Sequence, residues 1–191
     1  PIDPESDILT INYELCQADI DTINKREEKV VKQIRALGKE EEKRLAGYKS
    51  AVAKILPLLQ DGKCARMADL TDDEREGIYD LHLLTIKPQL FVCNIDENAI
   101  AEGTNKYVEA VKKIAAEEKS EVIVICGKFE SDLVEITDEG DRKDFMESVG
   151  LKESGLAVMA RAAYHLMGLR TFFTGGPDEC RAWTIHKGDK A

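Results

Sequence analysis

Three features of the sequence predict an α/β fold. Two short apolar runs rich in β-formers stand at residues 90–93 (Leu-Phe-Val-Cys) and 122–126 (Val-Ile-Val-Ile-Cys). A segment of helical period, residues 104–118, lies between them, with Tyr107, Val108, Val111, Ile114 and Ala115 on one face. A much longer helix-period stretch precedes both runs. Strand, helix, strand is a βαβ unit, so the two strands are predicted parallel with a right-handed crossover. An unbroken apolar run predicts a strand buried on both faces. Each run stops on polar residues: Asn94-Ile95-Asp96-Glu97 after the first, and Gly127-Lys128 after the second. Ligands of open α/β sheets bind just beyond the carboxyl ends of the strands. The two turns are therefore predicted neighbours on one edge, and Asn94, Ile95, Glu97, Cys126, Gly127 and Lys128 are the candidate site residues.

The elements before the sheet follow from periodicity. Ile8, Ile11, Leu15, Ala18, Ile23, Val30, Ile34 and Leu37 recur at helical spacing, and so do Leu45, Tyr48, Val52, Ile55 and Leu59. The polar run Gly38-Lys39-Glu40-Glu41-Glu42-Lys43-Arg44 separates them. This predicts two antiparallel helices, a coiled-coil-like hairpin with facing apolar stripes and a charged tip. Arms of about 28 residues would reach roughly 40 Å at 1.5 Å per residue, so the hairpin is expected to project from a domain. A plain helical pair within a bundle has the same periodicity. Pro57 is expected to kink the second arm or lie near its end. Thr71-Asp72-Asp73-Glu74 has the form of a capping box. It opens a helix expected to carry Ile78, Leu81 and Leu84 toward Lys87-Pro88.

After the second strand, residues 129–136 and 138–149 are predicted as short amphipathic helices. Ser154 is placed to cap a further helix over 155–167 that Gly168 ends. Residues 169–174 and 181–185 then read as strands around the turn cluster Gly175-Gly176-Pro177-Asp178-Glu179.

Composition narrows the function classes. The chain has 191 residues, a net charge of −10 and ordinary apolar content, which predicts a soluble globular protein. An acidic balance argues against a surface coated for nucleic acid, which needs Lys and Arg patches. A local basic patch stays open. No apolar run approaches the roughly 20 residues that span a bilayer, so no membrane partner is expected. The five cysteines are odd in number and widely spread, with no Cys-x-x-Cys pair, and the three histidines lie far apart. That favours structural thiols over metal or redox roles, and a cytosolic protein.

Asn94-Ile95-Asp96-Glu97 resembles the base-reading motif of P-loop GTPases, usually Asn-Lys-x-Asp, in the altered Asn-x-x-Glu form of the Obg-like ATPases. Three further stretches carry the same resemblance: the helical hairpin, Glu153-Ser154-Gly155-Leu156 leading to Arg161-Ala162-Ala163-Tyr164, and Thr171-Phe172-Phe173-Thr174 with Arg181-Ala182-Trp183-Thr184-Ile185. It covers essentially the whole chain. It implies a partial P-loop NTPase sheet, Rossmann-like, with an inserted hairpin and the opening hairpin of a TGS domain. The implied divisions are 1–63 hairpin, 64–168 the later half of the nucleotide-binding domain, and 169–191 the TGS start. It also implies an ATP (or GTP) hydrolase working with Mg²⁺, with the large ribosomal subunit or RNA as partner. The phosphate-cradling Gly-x-x-x-x-Gly-Lys-Ser/Thr loop is not in this sequence. In the family it precedes the hairpin, so the chain is expected to be a fragment, inactive alone, with strand edges covered in a homodimer, by another chain or by further residues.

The chemistry expected at the two turns is hydrogen-bond geometry. Asn94 both donates and accepts. Glu97 is one methylene longer than the Asp that takes two donors from guanine, so the guanine register would not hold unchanged. Adenine offers an exocyclic donor and a ring acceptor, and a carboxylate cannot donate to the latter. The resemblance therefore implies a main-chain contact near Ile95, whose side chain would give apolar contact. Gly127 would allow close approach of the base and the Lys128 stem would pack over it. Plainer readings of the same residues are that Asn94 and Glu97 cap the next helix and that Lys128 is simply solvated. A nucleotide-independent coiled-coil interaction module is the alternative function.

Overall fold

The computed structural model describes residues 2–33 and 39–189, which form two compact units, Pro1–Pro88 and Gln89–Ala191. The first is helical. α1 (Pro4–Gln33) and α2 (Lys39–Gln60) pair, and α3 (Asp72–Ile78) packs on α2. Ile34 and Leu37 of the expected first stripe and Gly38 of the expected tip lie outside the described residues.

The inward stripe of α2 is the one its spacing predicts: Tyr48, Val52, Ile55 and Leu59 are buried, and Pro57 sits exposed near the helix end. That of α1 is so only in part. Its buried positions are Asn12, Cys16, Asp19 and Ile23, whereas Ile11 is 56 % exposed and Ala18 is exposed. Two of the four inward side chains are polar; of the expected stripe Ile23 is buried and Ile8 and Leu15 are half-buried, so the match is partial. Asp19 is buried because its carboxylate accepts from the Leu84 amide (2.7 Å), the Thr85 amide (2.8 Å) and the Thr85 hydroxyl (2.6 Å). Burial, with Cys64 beside it, pushes the Cys16 thiol up to about 12, as befits a thiol serving as a core residue.

The capping box at Thr71 forms, with reciprocal bonds to and from Glu74. The helix it opens is shorter than predicted. It passes into a 3₁₀ turn at Tyr79–Leu81 and stops at His82, whose φ is +48°. Leu84 lies beyond it, 43 % exposed, between the buried Leu83 and Thr85. Glycines set the α2–α3 crossing. A Cβ on Gly77 would lie 2.7 Å from the Gly47 carbonyl carbon and 2.9 Å from Tyr48 Cα. The two backbones touch where neither residue carries a side chain.

The second unit contains the βαβ motif. β1 (Leu90–Asn94) and β2 (Glu121–Ile125) are parallel, with Asn94 opposite Ile125, and α4 (Lys106–Glu117) crosses between them. α4 starts two residues later than predicted because Asn105 caps it, accepting from the Tyr107 and Val108 amides. Cys93 and Val124 pack against the apolar cluster that includes Val108, Phe129 and Leu133, and Phe91 is also buried. β1 is not buried on both faces: Val92 is 44 % exposed. α7 (Gly155–Leu166), which covers the other face, lies mainly over β2. α5 (Gly127–Glu135) and α6 (Glu139–Ser148) follow β2, with Phe129 stacked on Phe145 at 4.8 Å. β3 (Leu169–Gly175) and β4 (Cys180–His186) close the chain as an antiparallel hairpin. The fold is α/β: a parallel two-stranded sheet with helices and an antiparallel hairpin.

Candidate functional site

The six predicted residues fall at the carboxyl ends of β1 and β2, and the structure brings the two turns into contact. The ladder runs one bond past the strands, the Ile95 amide donating to the Ile125 carbonyl at 2.8 Å. Cys126 stands at the N-cap of α5 with no side-chain bond to the helix, so the first helical amides need an outside acceptor. Asn94 supplies one: its Oδ1 accepts from the Gly127 amide at 2.9 Å. Asn94 thus caps a helix, though it is α5 and not the turn next in sequence. Its Nδ2 makes no bond among the described residues, and the side chain is exposed.

The remaining residues divide by exposure. Ile95 and Cys126 are buried, at 8 % and 6 %, within the apolar cluster beneath the rim. The Ile95 side chain therefore faces the core, and its amide is already used on β2. Glu97 opens an exposed 3₁₀ turn, Glu97–Ala99, after Asp96. Gly127 and Lys128 are exposed. Lys128 donates to Asp132 one helical turn on, at 2.7 Å. That bond and pair hold its ammonium above the usual lysine range, and the nearby carboxylates of Glu97 and Glu135 add to the effect. Glu97 on one turn and Lys128 on the other thus feel each other electrostatically.

Gly127 has no positive φ, and a Cβ there would meet only Asn94, with Oδ1 at 3.4 Å. The chain's own packing hardly demands glycine at this position, which leaves open space above the backbone. Chemically, the rim offers an amide donor from Asn94, a carboxylate from Glu97 and an ammonium from Lys128. This suits recognition of a flat polar edge. It holds no paired nucleophile and base.

Two residues that sequence reasoning missed shape the site. Asp132 pairs with Lys128 at helical spacing, and that spacing was readable. Glu130 leaves no such signal. Its carboxylate accepts from the Gly155 amide (2.6 Å) and the Leu156 amide (3.3 Å) at the start of α7. A small recess of about 90 Å³ opens beside the rim, lined by Ile95, Cys126, Phe129, Glu130 and Gly155 among others.

No protein-family model matches the chain. Individual relatives do. It is 41 % identical over 192 residues to the ribosome-binding ATPase YchF of Bacillus subtilis, covering all of this chain and 51 % of that protein. It is 38 % identical over 190 residues to the protein of the same name from Escherichia coli O157:H7, covering 50 % of it. Among solved structures, the Schizosaccharomyces pombe YchF GTPase superposes with a TM-score of 0.85 at 30 % identity, over the whole of this chain and 51 % of that one. The chain thus spans about half the length of the relatives it matches. The likeness runs from end to end of this chain in both sequence and fold, and the chain resembles about half of a YchF protein.

Proposed function

We propose that this chain is the base-reading and partner-docking part of a P-loop ATPase that acts on the large ribosomal subunit. ATP is the preferred nucleotide and GTP the competitor. The observation that carries the reading is the Asn94–Gly127 hydrogen bond, which joins two turns 33 residues apart. Asn94 and Glu97 address the polar edge of adenine, and Lys128 lies along its face. The Ile95 amide is committed to Ile125, so the main-chain donor of this turn is the amide of Asp96. Cys126 supports the rim from below, and Gly127 leaves room for the ring. Base recognition is the whole chemical task of these residues. Hydrolysis requires the phosphate-cradling loop, which this sequence lacks, so the chain by itself is inactive. Mg²⁺ would be held at that loop, whose Ser/Thr hydroxyl is a metal ligand, together with the phosphates.

α1 and α2 form the docking arm, and β3–β4 opens a TGS domain. The relatives named ribosome-binding ATPases support the ribosomal partner. The outer edge of β1 has no strand partner among the described residues. Further strands of a longer parent or a second copy would cover it, and light scattering on the purified chain separates the two.

Two substitutions test the base site. Asn94→Asp keeps the acceptor for the Gly127 amide and removes the Nδ2 donor. Asn94→Ala removes both. ATP affinity, measured by equilibrium titration, should fall about tenfold in Asn94→Asp with the melting temperature unchanged, the loss of one good hydrogen bond. Unchanged ATP affinity in both variants would refute the assignment. In that case co-sedimentation with large ribosomal subunits, equal with and without ATP, would favour the nucleotide-independent interaction module.

A further inference from the structure

The Glu153-Ser154-Gly155-Leu156 and Arg161 stretch, singled out in the sequence, has no place in the base-reading scheme. Its position in the fold suggests one. The first three amides of a helix lack intrahelical acceptors. In α7 each has a partner: Gly155 and Leu156 donate to Glu130, and Ala157 donates to the Ser154 hydroxyl at 3.2 Å. Glu153 in turn pairs with Arg161 through both guanidinium arms, which holds its carboxyl below the usual range and ties the lead-in of α7 to its second turn.

What α7 is tied to matters more. Glu130 belongs to the first turn of α5, and its own amide donates to the Cys126 carbonyl at 3.0 Å. Gly155 also rests on the last residue of β2: a Cβ there would lie 2.8 Å from Ile125 Cγ2 and 3.0 Å from Glu130 Oε1. The start of α7 therefore grips the polypeptide on both sides of Cys126, at Ile125 before it and at Glu130 after it. Those two grips bracket the turn that carries Gly127 and Lys128, and Ile125 is also the residue whose carbonyl fixes Ile95.

We infer that Glu130 is a positioning residue for the nucleotide-base site: by binding the first two amides of α7 it holds the Cys126–Lys128 turn at the spacing from Asn94 that base recognition needs. The inference rests on the base-reading function proposed above. A carboxylate is suited to the task, since its two oxygens take two adjacent amides and its charge complements the positive end of the α7 dipole. Glutamine retains an acceptor oxygen but not the charge, and alanine retains neither.

The test compares the chain with its Glu130→Ala and Glu130→Gln variants in two measurements. Amide hydrogen exchange at Gly127 reports the geometry of the turn directly. Titration with ATP and with inorganic tripolyphosphate separates base-dependent binding from binding to phosphate alone. Glu130→Ala should speed exchange at Gly127 about tenfold and weaken ATP by a similar factor, as expected for losing a charged hydrogen bond, with tripolyphosphate unchanged. Glu130→Gln should recover most of both. Unchanged exchange at Gly127, or an equal loss for ATP and tripolyphosphate, would overturn the inference. Should Glu130→Ala unfold α7, Gly155→Ala, whose Cβ would press on Ile125 Cγ2 and Glu130 Oε1, carries the same comparison. If the unmodified chain binds no ATP, the base-reading function itself fails, while exchange at Gly127 still decides whether Glu130 sets the turn.

Discussion

The α2–α3 crossing should be intolerant of a single methyl group. Gly77→Ala would place a Cβ 2.7 Å from the Gly47 carbonyl carbon and 2.9 Å from Tyr48 Cα, and nearer still to the Tyr48 amide nitrogen. All three are backbone atoms, so no rotamer change relieves the overlap. The helices must separate, by about 1 Å if contact is to return to ordinary van der Waals distance. A gap of that size forfeits roughly a quarter to a half of the dispersion energy of each contact it opens. Tyr48, Val52 and Ile78 share the core cluster at this junction and would lose packing together. Overpacking costs about 1–3 kcal/mol and sometimes more, and rigid backbone puts this case at or above the upper end. Alanine returns about 1 kcal/mol through helix propensity. The net loss should be about 2–4 kcal/mol, with Gly47→Ala similar. Urea denaturation followed by far-ultraviolet circular dichroism reads the helices of both units, of which α1 and α2 are the longest. Fluorescence of Trp183, the single tryptophan, reads the second. The dichroism midpoint should fall and the fluorescence midpoint should hold. An unchanged or raised dichroism midpoint for Gly77→Ala would refute the close crossing.

Asp19→Ala should destabilise the first unit by about 3 kcal/mol or more, since it strands the Leu84 and Thr85 amides together with the Thr85 hydroxyl; Asp19→Asn should cost less in the same denaturation assay. Glu74 gives a pH signature. Its carboxyl is held down to about 2 by the Lys54 ammonium, then by the Ser50 hydroxyl and the Thr71 amide. A group depressed in the folded state stabilises above its unfolded pKa. Its contribution should therefore be complete above about 4.5 and disappear as pH falls toward about 2. Glu74→Gln should flatten the stability profile over that window, and an unaltered profile would contradict the network. Gly127→Ala should leave the melting temperature within a degree or two, because Asn94 Oδ1 at 3.4 Å is ordinary contact. It should nevertheless weaken ATP binding, since the methyl group enters the space left for the base.

How far the fold could be read in advance depended on what each residue answers to. The βαβ unit followed from two apolar runs and the handedness of crossovers, and the meeting of Asn94 with Gly127 followed from that topology alone. α2 matched its periodicity because its inward positions are apolar. α1 matched only in part, because Asn12 and Asp19 face inward and are satisfied by partners such as Thr85, 66 residues away from Asp19. Hydropathy carries no record of such a bond. Gly47 and Gly77 were visible as isolated glycines within helical stretches, a pattern that costs stability unless close packing requires it. Val92 looked like a core residue because the apolar run says nothing about which neighbour covers each face. At the two turns, Asn94, Glu97 and Lys128, which lie exposed at the rim, were singled out from the sequence. The buried side of Ile95 and the amide it spends on Ile125 were not, since both depend on strand register. Glu130 was unreadable: an acid on a helix surface resembles any solvated charge until the amides of α7 are seen beside it.

The most direct measurement is titration of the nitrogen-labelled chain with ATP, followed by amide chemical shifts. Shifts concentrated at residues 94–97 and 126–128, and absent or much smaller with tripolyphosphate, are the expected result. Perturbations confined to the β3–β4 hairpin or to α1 and α2, with the Asn94 and Gly127 signals unmoved at saturating ATP, would contradict it.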